Sequence, residues 1–247
     1  MSISLLLIMI LVGFLIGVAK TAIGGMGLVG AALLANIMPA KESTGVILVL
    51  LLVGDLLAIG IYKKHVQWKV LQSLMWPVAG GLLVGVAFLA AVSDLSLKRT
   101  IGWIVIVLVA VFPLSQRFLK GEIDLAVRFP KIIGYTLGSM AGFMSMVANA
   151  GGPPMNIYLL LRKNSVMNYL GNNAWFFFFL NVSKVPFMLG LGILKFHSLA
   201  YILPAIPTLV LGAILGRRYI SRINLSLFQN ITLVSAAAAG LNLVLHS

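Results

Sequence analysis

Three ionisable residues stand inside long apolar runs of this 247-residue sequence: Lys20, Asp55 and Lys184. A charge at membrane depth is costly, and where one occurs it marks a path for an ion or a polar solute. The two lysines have the chemistry to attract an anion. Asp55 has two roles open to it, pairing with a lysine or taking up a proton for coupling. Lys184 lies between Trp175–Leu180 and Val185–Leu194, far from either end of its run. Lys20 stands four residues before a glycine-rich interruption, where a long stem could also carry its charge to an interface. Asn149, Asn156, Asn172, Asn173 and Asn181 crowd the same half as Lys184. Asn181 and Lys184 are three apart and so share a helical face. Asn172 and Asn173, near a helix end, suit interhelical hydrogen bonding.

Glycines form the second group of candidates. They cluster as Ile23-Gly24-Gly25-Met26-Gly27 and as Asn149-Ala150-Gly151-Gly152-Pro153-Pro154. Gly-Gly weakens a helix, and Pro-Pro removes two backbone donors while suiting the first turn of the helix that follows. The short helices after these breaks begin near Gly27 and Pro154. Their free N–H groups and positive dipole ends suit an anion. Gly24, Gly25, Gly27, Gly151 and Gly152 would let it approach the backbone. Gly13-x-x-x-Gly17 and Gly138-x-x-x-Gly142 read instead as close helix packing.

The elements that must hold these residues follow from composition. Hydrophobic residues make up 61% and charged residues only 9%, against about 25% charged in a soluble domain. Mean hydropathy is +1.09. Too few charges remain to cover a water-facing surface, which excludes a soluble globular enzyme. Apolar stretches run over about 3–38, 43–62, 70–92, 100–116, 132–161, 168–194, 198–216 and 225–245. In lipid such runs must be helices, because the backbone has to satisfy itself. The fold class is an all-α polytopic membrane protein. The first run lacks a preceding basic residue and a small-x-small cleavage site, so it does not read as a signal peptide.

A shift of 125 residues places Gly13 on Gly138, Gly17 on Gly142 and Gly27 on Gly152; a shift of 127 places Pro77 on Pro204 and Gly85 on Gly212. These ordered matches predict two four-segment repeats, 1–122 and 123–247, each opening with a Gly-rich broken helix. That helix either crosses or doubles back as a re-entrant hairpin. With eight simple crossings, Lys and Arg divide 8 against 8 between the faces. With two hairpins, the loops 63–69, 117–131, 162–163 and 217–222 share a face, and the division becomes 12 against 4. A positive-inside bias favours the second count, and each repeat would then be inverted relative to the other. The formal charge of +13 is thus mainly topology and contact with anionic headgroups rather than nucleic-acid binding.

Enzyme signals are missing. The sequence has no cysteine, and its three histidines, His65, His197 and His246, are scattered at span ends without an acidic partner. No catalytic residue, metal site or cofactor is expected. Trp175–Phe179 surrounds its helix and reads as packing and lipid contact. Tyr62, Trp68, Trp76 and Trp103 suit interfacial belts or packing.

The glycine signatures Gly13…Gly17…Gly24-Gly25-Met26-Gly27 and Gly138…Gly142…Gly151-Gly152-Pro153-Pro154 resemble the paired motif of the sulfite exporter TauE/SafE family, also described as the toluene-sulfonate uptake permease family. Gly54-Asp55…Tyr62…His65…Trp68 and Trp175…Asn181…Lys184-Val185-Pro186 are similar to further segments of one bacterial branch. Met26 before Gly27, and Pro153-Pro154, depart from the usual pattern. The resemblance implies a permease of the bacterial inner membrane for sulfite, sulfonates or related organosulfur or carboxylate anions. The expected function is a secondary transporter of a small anion working by alternating access, either proton-coupled through Asp55 or a uniporter. The alternative class is an anion channel or a non-transporting membrane subunit. Substrate contacts are expected at Lys20, Gly24, Gly25, Gly27, Asn149, Gly151, Gly152, Asn181 and Lys184, and a homodimer is a possible assembly.

Overall fold

A computed structural model describes residues 3–21, 27–120, 130–162, 165–195, 200–219 and 225–245. Among them the chain is helical, without strands. The elements are α1 (Ile3–Thr21), α2 (Gly27–Ile37), α3 (Ala40–Tyr62), a 3-10 turn (Lys63–His65), α4 (Trp68–Ala91) and α5 (Asp94–Lys120). They continue with α6 (Pro130–Ala148), α7 (Gly152–Leu161), α8 (Val166–Gly190), α9 (Ala205–Tyr219) and α10 (Leu225–Leu245). Among the described residues three stretches, Ile3–Thr21, Ala40–His65 and Trp68–Ala91, are long and apolar enough to cross a membrane. Large apolar side chains also face outward, among them Ile3, Trp76, Leu83 and Val234. An exterior of that kind is stable against lipid and not against water.

Helix ends use the polar residues that punctuate the apolar runs. Ser165 caps α8 by accepting the Asn168 N–H at 3.2 Å. Pro39 precedes α3 and offers no side-chain cap. Asp94, from the first turn of α5, supplies one instead. Its carboxylate accepts the backbone N–H groups of Ala40 at 3.0 Å and Lys41 at 2.9 Å. A carboxylate there meets both the unsatisfied donors and the positive dipole end of α3. α5 starts six residues earlier than the apolar run at 100–116, because this polar first turn has a structural task that hydropathy does not reveal.

The most extensive helix pairings are α1 with α9 and α4 with α6, followed by α5 with α10 and α3 with α8. Small residues make the first two close. A Cβ on Gly17 would fall on the Leu209 carbonyl, and one on Gly142 on the Val78 carbonyl. Gly13 faces the Ala205 carbonyl of α9, and Gly138 faces the Pro77 ring of α4. Their role is interhelical packing.

Contacts between helices and turns relate the ends of α3 and α8. Gly171 of α8 packs on the backbone of His65, Trp175 Nε1 donates to the Lys63 carbonyl at 3.4 Å, and Asn172 accepts the Gln67 N–H at 2.7 Å. At the other end of α3, Gly45 lies against the Ile193 carbonyl. The first part of α8 therefore lies beside the end of α3, and the turn after α8 lies beside the beginning of α3.

Candidate functional site

α6 ends at Ala148, and α7 does not begin until Gly152. Between them Asn149 has φ of 52°, the left-handed region that Asn tolerates better than most L-residues. This turn withdraws Asn149 from the helix and aims its amide inward. Asn149 Nδ2 donates to the Thr44 carbonyl of α3 at 3.1 Å, and its Oδ1 accepts from Lys184 Nζ at 2.5 Å. Lys184 Nζ also donates to the Ser145 carbonyl at 2.9 Å, and reaches Ser145 Oγ at 3.4 Å and Asn181 Oδ1 at 3.3 Å. A lysine has three donors, so four oxygens satisfy it fully. Lys184 is the largest completely buried side chain among the described residues.

Asn181 joins this cation to a second charged pair. With its oxygen toward Lys184, its Nδ2 donates to Asp55 Oδ2 at 2.7 Å. The opposite amide orientation would set NH2 against an ammonium and oxygen against a carboxylate, so the network fixes it. Asp55 Oδ1 accepts from Lys20 Nζ at 2.5 Å. Asp55 is fully buried, while the Lys20 side chain retains 12% exposure. Lys20 Nζ stands 4.8 Å from the centre of the Phe177 ring. Gly54 leaves room for its stem, since a Cβ there would come within 2.9 Å of Lys20 Cγ.

Five of the sequence candidates thus form one continuous chain: Lys20, Asp55, Asn181, Lys184 and Asn149. It draws on α1, α3, α8 and the turn after α6. Among the described residues, Asp55 neutralises Lys20, whereas the partners of Lys184 are all neutral oxygens. Gly151 and Gly152 adjoin the chain without equal roles. A Cβ on Gly151 would meet the Ala141 carbonyl at 2.7 Å and Ser145 Cβ at 2.8 Å, so this glycine lets α7 start against α6. Gly152 has open space around its Cβ position. Gly27 opens α2, and Gly24 and Gly25 lie outside the described residues. Asn172 and Asn173 sit elsewhere, bonding to Gln67 and Asn156.

Ser145 and Thr44 are participants that the sequence did not single out, and Gly54 stood out only within a segment similar to the family. Ser145 had a signal, because it stands one turn before Asn149 on the same face. It also falls on Lys20 under the shift of 125. Thr44 contributes a backbone carbonyl, which any residue type could supply. Among the described residues no three His, Asp or Glu side chains gather as a metal site would require.

The model of the sulfite exporter TauE/SafE family matches residues 9–243. The chain belongs to the sulfite exporter TauE/SafE family. No curated protein and no solved structure matches it. For this TauE/SafE member the matched span includes every residue of the buried chain, from Lys20 to Lys184. Membership carries a membrane transporter with it, in keeping with the apolar exterior.

Proposed function

We propose that the protein is a multi-pass inner-membrane secondary transporter for a small anion of the sulfite, sulfonate or related organosulfur class. The observation that carries this reading is the environment of Lys184. Among the described residues its ammonium is buried and hydrogen-bonded only to neutral oxygens, so a substrate oxygen can replace Ser145 or Asn181 without breaking an ion pair. A buried cation with no carboxylate in direct contact is costly, and an anion beside it recovers that cost. Lys20 is the second cation, held by Asp55. A proton taken up by Asp55 would release Lys20 toward the anion, which links proton uptake to anion binding.

Alternating access would act around the two breaks, in two repeats over 1–122 and 123–247 that are inverted in the membrane. Reciprocal packing supports the repeats, since α1 lies on α9 as α6 lies on α4. At about 1.5 Å per residue, α2 and α7, with 11 and 10 residues, extend about 16 and 15 Å. Each is half of a hydrocarbon core of about 30 Å. Gly171, Asn172 and Trp175 touch His65, Gln67 and Lys63, so the first part of α8 lies beside the turn after α3, in keeping with the 12-against-4 division. That division would make their face cytoplasmic.

The test is a thermal-shift panel of sulfite, sulfonates, sulfate, thiosulfate and small carboxylates on purified protein, followed by uptake into proteoliposomes. Saturable, gradient-coupled uptake of the stabilising anion is expected. Uptake that never saturates would identify a channel, and no stabilisation by any anion would reject the substrate class.

A further inference from the structure

A groove between α3 and α9 is separate from the buried chain. Its volume is about 510 Å³. Leu56, Ile61, Val210 and Ile214 supply apolar walls, and Arg217 and Arg218 supply the polar end. Gly60 lines it as well, with nothing within 4 Å of its Cβ position, so the absence of a side chain keeps the groove open. Leu56 and Ile214 are 58% and 56% exposed, so the groove faces outward, where lipid lies. Both arginines are exposed too, and Lys63 and Lys64 follow Ile61 at the same end of α3. The chain therefore presents a membrane-facing apolar trough closed at one end by two adjacent guanidiniums.

We infer that this groove is a binding site for an anionic phospholipid, with an acyl chain against Leu56, Val210 and Ile214 and the phosphate on Arg217 and Arg218. Guanidinium groups match phosphate oxygens by paired hydrogen bonds, and basic pockets between membrane helices hold anionic headgroups. The apolar length selects a lipid over a free phosphate, which would use the arginines alone. The site also has a structural consequence. α9 contributes Ala213, whose carbonyl accepts the Thr21 hydroxyl at 2.9 Å, and α3 contributes Tyr62, which donates to the Thr21 carbonyl at 2.7 Å. A lipid bridging α3 and α9 therefore braces the two helices that hold the end of α1, next to Lys20.

The test uses the full chain in neutral detergent, with phosphatidylglycerol, phosphatidylcholine and water-soluble glycerol phosphate as probes. Thermal unfolding and native mass spectrometry report stability and bound lipid. Phosphatidylglycerol should raise the unfolding temperature and remain bound, whereas phosphatidylcholine and glycerol phosphate should do neither. The Arg217→Gln/Arg218→Gln variant should lose roughly tenfold or more in phosphatidylglycerol binding. Gly60→Leu, which fills the groove and keeps both charges, should lose it as well. Equal retention of phosphatidylcholine, an equal effect of glycerol phosphate, or full binding in the double variant would each overturn the site. The three probes on the unaltered protein discriminate between these outcomes even if Gly60→Leu does not fold.

Discussion

Asp55 of α3 and Asn181 of α8 are 126 positions apart and joined by a hydrogen bond of 2.7 Å, with both side chains buried. That separation falls between the shifts of 125 and 127 residues that align the glycines and prolines. In the proposed two-repeat arrangement the two residues would occupy corresponding places, one repeat supplying a carboxylate where the other supplies its amide counterpart. Through this contact the Lys20 pair and the Lys184 cluster become one network.

Lys184→Ala should remain folded and lose anion binding, because the proposed anchor is removed while its neutral oxygens can take water instead. Calorimetric titration with the anion that most stabilises the unaltered protein provides the check. An unchanged affinity would refute the assignment.

Asn149→Asp places a carboxylate where an amide oxygen now stands 2.5 Å from Lys184 Nζ. The internal charge should occupy the cation and compete with substrate, lowering anion affinity by about tenfold or more, since one charge-assisted contact contributes about 1.5–3 kcal/mol. The unfolding temperature without anion should not fall. A variant that binds as tightly as the parent would separate Lys184 from the substrate.

Asp55→Asn keeps the shape and leaves Lys20 without its carboxylate. Removing one partner of a buried pair costs about 3–5 kcal/mol, so a lower unfolding temperature is expected. If Asp55 carries the coupling proton, anion-driven proton flux in proteoliposomes should vanish while anion exchange persists. Intact proton flux would leave Asp55 a structural partner only.

Glycine variants should divide by packing. Gly142→Leu drives a side chain into the Val78 backbone and should abolish monodisperse protein in size-exclusion chromatography. Gly152→Ala has open space and should fold normally. If Gly152→Ala nonetheless weakens anion binding, the ligand approaches that backbone, as the glycine reading anticipates.

The inverted arrangement requires positions 41 and 162 to lie on opposite faces. Single cysteines at Lys41 and Arg162 in this otherwise cysteine-free chain should label from opposite sides with an impermeant maleimide. Labelling of both from one side would restore the eight-crossing topology.

Much of the protein was legible in its residues because the relevant physics is local. A long apolar run without charges can only be a buried or membrane helix, and its length follows from bilayer thickness. Asn181 and Lys184 could be paired because a helix turns once in 3.6 residues. Helix packing at Gly13, Gly17, Gly138 and Gly142 could be read from small residues four apart. The polar first turn of α5 escaped that logic, since Asp94 serves the N–H groups of another helix.

By itself, the sequence determined the membrane class, the family signature and the rare charges that had to be accounted for. Only the tertiary structure decided which charge meets which. Lys20 pairs with Asp55, 35 residues away, and Lys184 with oxygens 35 and 39 residues away. No periodicity encodes those distances. They depend on how helices rotate and slide against one another, which is set by interhelical glycine contacts and by the left-handed turn at Asn149. The consequence for charge is equally non-local: a single carboxylate stands between two lysines, and the folded helices give it to Lys20.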